Sequence, residues 1–209
     1  MMWFQPSMCR KSPLLVPWSV VLATLIVSQS ARAADDPPAN AKGSAKQEAP
    51  NVWEPDPASV GKLGKTRSLF RNRATIRPPA GYSFEESSGL RTAEAVFVAG
   101  PNRLEIVVFD GRDAFITYKS NIATTRHFHS VMNGRRQELG EIELGSIGGV
   151  PFARFRYEGT DEDGQEIQGV YYVTRPHRSG PIWHVVAQGE AETFPLLEAS
   201  AQTFRSANR

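Results

Sequence analysis

Apolar and polar side chains alternate along Ala153-Arg154-Phe155-Arg156-Tyr157-Glu158. This puts Ala153, Phe155 and Tyr157 on one face of a strand and Arg154, Arg156 and Glu158 on the other. Asp163-Gly164 then turns the chain, Gln165 to Thr174 runs back, Arg175 to Gly180 turns again, and Ile182 to Gln188 makes a further strand. Connections this short join antiparallel neighbours. After residue 190 the period becomes that of a helix. Phe194, Leu197, Ala201 and Phe204 fall on one stripe, Thr193 stands at the cap position, Pro195 lies in the first turn, and Gln202 is on the opposite side. One apolar stripe predicts a helix laid against a sheet.

Upstream, Ala93 to Ala99 and Arg103 to Phe109 are β-rich runs around Gly100-Pro101-Asn102, a hairpin pattern. Thr75-Ile76, the Pro78 to Gly81 turn and Tyr82-Ser83-Phe84 predict a short extended segment and a second apolar alternation, so the globular part starts near Ala74. Asp113 is the expected N-cap of a helix through about His129, with Phe115, Tyr118 and Ile122 at helical spacing. Asn133-Gly134 ends it, as a helix C-cap or as a tight turn. Glu141-Ile142-Glu143-Leu144 alternates again. Val170-Tyr171-Tyr172-Val173 and Trp183 carry apolar groups on both faces of their strands, as expected when helices cover both sides of a sheet. The fold class predicted is α+β, a mainly antiparallel β-sheet sandwiched by α-helices.

The ends change the picture. Arg10 and Lys11 precede an apolar run from Leu14 to Val27, and Ala31-Arg32-Ala33 offers small residues for cleavage, so residues 1–33 are expected to be a signal peptide. The run is shorter than the ~20 residues that span a bilayer; retention as an anchor is the alternative. Cleavage removes three basic residues and no acidic one, which leaves 21 basic against 22 acidic side chains. It also removes Cys9, the only cysteine, and with it disulfides, thiolate catalysis and cysteine-bound metal. The expected address is periplasmic or extracellular, with no transmembrane segment after cleavage.

Residues 34–66 are rich in Pro, Ala, Lys and Glu and are expected to be a flexible linker, with Trp53 a stray aromatic within it or, alternatively, one that docks on a surface. The domain is expected to occupy 67–209. Lys62, Lys65, Arg67, Arg71, Arg73 and Arg77 form a basic stretch over 62–77 that either rests on a membrane surface or is a solvated approach to the first strand. A mature charge near zero argues against nucleic acid.

Together, Pro79-Ala80-Gly81-Tyr82, Gly149-Val150-Pro151, Val170-Tyr171-Tyr172-Val173 and Phe194-Pro195-Leu196-Leu197-Glu198-Ala199-Ser200-Ala201-Gln202-Thr203-Phe204-Arg205 resemble the PsbP/Mog-type domain family, over roughly Ala74 to Arg205. That family is named for an extrinsic photosystem II subunit and a Ran-binding import factor. The resemblance implies a sheet covered by helices and rests on turn and core positions. It transfers no partner-binding or metal-binding residue.

Candidate chemistry is sparse. His127 and His129 share a face only in a strand, and on the expected helix they diverge by about 200°. His177 sits in a turn and His184 in a strand, and the four lack metal-site spacing. Asp161-Glu162-Asp163-Gly164-Gln165-Glu166 lacks the ligand pattern of a calcium loop and reads as a hairpin tip. Ser146, in Leu144-Gly145-Ser146-Ile147-Gly148-Gly149, precedes a strand where a nucleophile elbow needs a helix. No catalytic, cofactor or metal residue is assigned. The function expected is that of an exported, non-catalytic binding or accessory domain touching a protein or an envelope surface. A carrier with a pocket between helix and sheet is one alternative, and a hydrolase with a dispersed site is the other.

Overall fold

The computed structural model describes residues 51–110 and 116–207. The chain enters through β1 (Asn51–Val52) and one turn of helix, α1 (Pro57–Val60), whose Asp56 cap accepts from the Ser59 amide at 3.1 Å. Strands β2 (Arg67–Leu69), β3 (Ala74–Ile76), β4 (Ser83–Ser88), β5 (Thr92–Ala99) and β6 (Asn102–Phe109) follow. Helix α2 (Tyr118–Asn133) leads to β7 (Gln137–Leu139), β8 (Glu143–Ile147), β9 (Val150–Thr160), β10 (Glu166–Thr174) and β11 (Ile182–Gly189). Helix α3 (Phe194–Gln202) and β12 (Arg205–Ser206) close the fold.

Nine strands form one sheet in the order β1-β8-β9-β10-β11-β6-β5-β4, with β7 also on β9; β12, β3 and β2 make a separate three-stranded sheet. Apart from the parallel β1–β8 pair, the neighbours in the large sheet are antiparallel. The β8–β9 hairpin needs two residues at positive φ, supplied by Gly148 (57°) and Gly149 (79°).

Period-two alternation sorts the strands into two faces. On one, Phe152, Val170, Tyr172, Trp183, Val185, Leu104, Ile106 and Phe97 are buried with Phe194, Leu197, Ala201 and Phe204 of the α3 stripe. On the other, Ala153, Phe155, Tyr157, Ile167, Val173 and Ile182 are buried with Ile122 of α2. The fold is therefore the α+β sandwich expected, with a helix on each side of a mainly antiparallel sheet. Val170 and Tyr172 point to α3 while Tyr171 and Val173 point to α2, which is why this strand is apolar on both faces.

Four local expectations need correcting. Helix α2 begins later than expected, at Tyr118. Its cap is Thr117, whose side chain and that of Ser120 each satisfy the other's backbone amide. Asp113 and Phe115 lie outside the described residues. Gly134 is the C-cap, in a right-handed conformation, with its amide on the Ser130 carbonyl at 2.9 Å.

The described part of the expected linker, 51–66, is packed. Trp53 is only 7% exposed, lies edge-on to Tyr172 at 5.6 Å between ring centroids, and donates its amide to the Ser146 carbonyl at 2.9 Å. A lone indole in a Pro-rich stretch carries no periodic signal; it folds because Gly145 leaves room for its ring, where a Cβ would stand 2.8 Å away. Leu63 is buried as well, bridged to Pro79.

The basic stretch is built into the fold rather than leading up to it. Arg77 donates to the Gly64 carbonyl at 3.2 Å and the Val60 carbonyl at 3.2 Å, Arg73 pairs with Asp110 at 2.6 Å, and Arg67 lies 3.6 Å over the Phe84 ring. Gln202, placed on the outer side by helical spacing, is buried and donates to the Tyr172 hydroxyl at 3.2 Å. It lies on the flank of the α3 stripe and is turned toward Tyr172 of the large sheet.

Trp53→Ala removes a buried indole from this core, and the expected cost is about 3–5 kcal/mol. Urea titration of the variant measures it, and stability unchanged within 0.5 kcal/mol would show that the indole is not docked.

Candidate functional site

Two polar clusters occupy the two faces of the large sheet. The first is buried on the α3 side. Arg154 is 7% exposed, although it sits on the polar half of the β9 alternation. Its Nη2 pairs with Glu143 at 2.8 Å, its Nη1 donates to Glu198 at 3.3 Å and to the Tyr172 hydroxyl at 3.3 Å, and its guanidinium lies 4.2 Å over the Trp53 ring. Arg156 joins through Glu198 at 2.6 Å. The Tyr172 hydroxyl accepts from Arg154 and Gln202 and donates to Glu198 at 3.1 Å, so its hydrogen-bonding capacity is full. Burial first, and then the Glu198 carboxylate, push its pKa up to about 12. Every one of these polar side chains is engaged with another. The cluster works as a structural joint between edge strand, N-terminal segment and α3.

The second cluster lies on the α2 side, and here coverage is incomplete. Helix α2 packs against β7, β9 and β10. Tyr157 lies flat across Gly169, where a Cβ would meet its ring at 2.0 Å, and its hydroxyl donates to Gln188 on β11 at 2.7 Å. Only glycine at 169 permits this reach. His129 of α2 sits on the same aromatic surface, with ring centroids 4.5 Å from Tyr157, 5.5 Å from Tyr171 and 5.8 Å from Phe155. Its Nε2 donates to Gln137 Oε1 at 2.6 Å, and Gln137 Nε2 donates in turn to the Thr160 carbonyl at 3.1 Å. Burial lowers the His129 pKa, and the Gln137 bond opposes that in part.

Beyond Tyr171 the same face continues over β11, β6, β5 and β4 through Val186, Glu105 and Val96, in pairing register. Arg103 holds Glu105 at 3.0 Å and Glu94 at 3.4 Å, with side-chain exposures of 32% for Arg103, 13% for Glu105 and 16% for Glu94. Two carboxylates share one guanidinium at the edge of an aromatic surface. Desolvation raises the Glu105 pKa; Arg103 lowers it and Glu94 raises it further. Val96, Val98 and Val186 are half-buried around them.

The residues weighed from sequence are not brought together. His127 is exposed on α2 and His177 is exposed in its turn. His184 is 4% exposed on β11 against the Phe109 ring at 5.0 Å, and its Nε2 meets no hydrogen-bond partner among the described residues. Ser146 is half-buried on β8, where its carbonyl receives the Trp53 amide. Asp161 caps a hairpin tip, its Oδ1 accepting the Asp163 and Gln165 amides at 2.9 Å each. Among the described residues no group of three or more His, Cys, Asp or Glu side chains is placed to hold a metal ion. No helix among them is long and apolar enough to cross a membrane. A cleft of about 320 Å³ lies at the β9–β10 end, lined by Glu158, Gly159, Thr160, Glu166, Ile167, Gln168 and Ala191.

No protein-family model matches the chain, and no curated protein matches it. Solved structures are similar. The PsbP of Synechocystis (CyanoP) is 14% identical, with 79% of this chain and 99% of that one covered, at a TM-score of 0.49. The Ran-binding protein Mog1p of Saccharomyces cerevisiae is 10% identical, with 68% and 94% covered, at 0.40. A Bacteroides thetaiotaomicron protein is 13% identical at 0.46, with 69% of this chain covered and 49% of that one, so this chain spans about half of its length. At these identities the likeness to PsbP and Mog1 structures is one of fold alone.

The buried histidines make stability depend on pH with a definite sign. Burial pulls His184 down to about 4 from an unfolded value near 6.5, so its contribution is complete above the unfolded value and is lost as pH falls toward the folded one. Glu105, raised, acts in the opposite direction and costs stability as it ionises. Between pH 7 and pH 5 the His184 contribution falls by about 2 kcal/mol. Urea titrations at both pH values check this. His184→Leu is expected to flatten the decline, and an identical slope in the variant would show that His184 is not held neutral.

Proposed function

We propose that the protein is an exported, non-catalytic binding module that works by surface contact, and that the contact is made on the half-covered face beside α2. The observation that carries this reading is the change in cover along one continuous face. Over β9 and β10 the face is capped by α2. Over β11, β6, β5 and β4 it presents Val186, Val96 and Val98 around the Glu94–Arg103–Glu105 group, with no helix over it among the described residues. At a protein contact the apolar side chains supply affinity on leaving water, and an arginine with its paired carboxylates fixes orientation. A protein partner of the envelope fits an exported chain.

The polar groups on this face are hydrogen-bonded to one another rather than aligned as nucleophile and base. Tyr157 is bound to Gln188, His129 to Gln137, and Arg103 to both glutamates. Burial, the largest cause, holds the Tyr157 hydroxyl well above its ordinary pKa, so it stays protonated and serves as a fixed donor.

Site-specific photo-cross-linking in the native envelope tests the assignment. A photoreactive residue at Val96 or Val186 is expected to give a light-dependent adduct with a discrete protein. One at Ala123, exposed on the outer side of α2, is expected to give none. Adducts from Ala123 alone, or no adduct from either position on the face, would overturn it.

A further inference from the structure

At one end of the molecule, beyond the last residues of β4 and the first of β5, a single large apolar side chain projects fully into solvent. Leu90, at the apex of the β4–β5 hairpin, is 103% exposed. The hairpin is closed by the Gly89 amide on the Thr92 carbonyl at 2.7 Å, and Ser88 is already paired with Ala93, so the apex is a tight, held turn. Arg91 follows Leu90 and is exposed.

The β2–β3 turn stands at the same end. Its residues Phe70, Arg71 and Asn72 have φ of 52°, 56° and 68°, three consecutive non-glycine residues in the left-handed region. Each such conformation is unfavourable and persists only when its surroundings enforce it. Here the Phe70 side chain is buried against Trp183 at 5.9 Å, the Phe70 amide donates to Glu86 at 3.2 Å, and Ser68 bonds Asn72 at 2.5 Å. The effect is to anchor Phe70 inward and present Arg71 outward at the apex, exposed. Arg73 lies behind it on Asp110, whose amide in turn binds the Arg91 carbonyl at 2.9 Å, which ties the two turns together. Of the acids nearby, Asp110 is paired with Arg73, Glu86 accepts from the Phe70 amide and keeps its charge, and Glu85 is exposed on β4 below the apex. Arg71 and Arg91 face solvent at the same end as the protruding leucine.

We propose that this end is a peripheral membrane-contact surface, in which Leu90 inserts into the interfacial region of an anionic phospholipid bilayer while Arg71 and Arg91 bind lipid phosphate. An apolar finger at the same end as two solvent-facing guanidiniums matches the two components of such a surface, one that removes apolar area from water and one that meets negative charge. The proposal goes beyond the protein-binding reading. Vesicle binding tests it and adduct formation at Val96 does not, so the two stand or fall separately. It also relocates the contact expected of the whole 62–77 stretch, since Arg73 and Arg77 are engaged within the fold.

The experiment is flotation of the protein, purified in the form in which the cell accumulates it, with vesicles of phosphatidylcholine alone or with 30% phosphatidylglycerol added. Binding is expected to the anionic vesicles and to weaken as salt rises through the range where the screening length drops below about 10 Å. Leu90→Glu is expected to weaken it by about tenfold or more. Arg71→Ala and Arg91→Ala are each expected to weaken it by about fivefold, the ratio for one cation near an anionic surface. All three side chains are exposed, and unchanged circular dichroism and thermal midpoints are expected to confirm folding. Absence of binding to anionic vesicles would overturn the proposal. So would binding that Leu90→Glu leaves unchanged, or binding equal on both vesicle types.

Discussion

The architecture depends on how one guanidinium is buried. Arg154 is on the α3 side of the sheet, on β9 beside β8, and taking a charge out of water costs several kcal/mol unless its surroundings replace the lost hydration. They do so from four separate parts of the chain: Glu143 from β8, Tyr172 from β10, Glu198 from α3 and the Trp53 ring from the N-terminal segment. None of these elements can leave without exposing or unpairing the charge. The joint therefore seats α3, holds the edge strand and ties down the entry of the chain. Its Nε has no hydrogen-bond acceptor among the described residues, and the Trp53 ring face lies over the group instead.

This joint explains which parts of the structure were legible in the sequence. The β9 alternation, the hairpins and the α3 stripe follow from side-chain direction along a strand or helix, a property of neighbours in sequence. The role of Arg154 does not. Alternation places it opposite Ala153 and Phe155, on what reads as a solvent face, and only the return of α3, about 40 residues later, covers that face. Trp53 is hidden for the same reason, since its partners Gly145, Tyr172 and Arg154 are all distant in the chain. Helical spacing sets Gln202 off the apolar stripe, but on its flank rather than its far side, and from there it reaches the Tyr172 hydroxyl. Helix α2 starts late because Thr117 and Ser120 cap it mutually, with a serine where the capping-box pattern expects glutamate or glutamine.

The α2-side face was half legible. Ala153, Phe155 and Tyr157 were assigned to one face, but the lateral reach of Tyr157 to Gln188 depends on Gly169, an isolated glycine in an apolar strand. A glycine of that kind signals close approach by something; it does not say what. The Glu94–Arg103–Glu105 group assembles from two strands whose polar positions read, in sequence, as the ordinary outer half of a hairpin. Function is harder to read than fold here because the surface proposed for contact consists of common residue types whose meaning comes from incomplete cover.

The central claim is that Trp53 and Arg154 act as one unit, so that the N-terminal segment belongs to the domain's cooperative core. A double-mutant cycle with Trp53→Leu and Arg154→Met, read by urea unfolding, measures their coupling directly. The coupling expected is about 1 kcal/mol or more, in the range of desolvated cation–aromatic contacts. Additivity within about 0.3–0.5 kcal/mol would contradict it, and would mean that the indole and the guanidinium are neighbours without being partners.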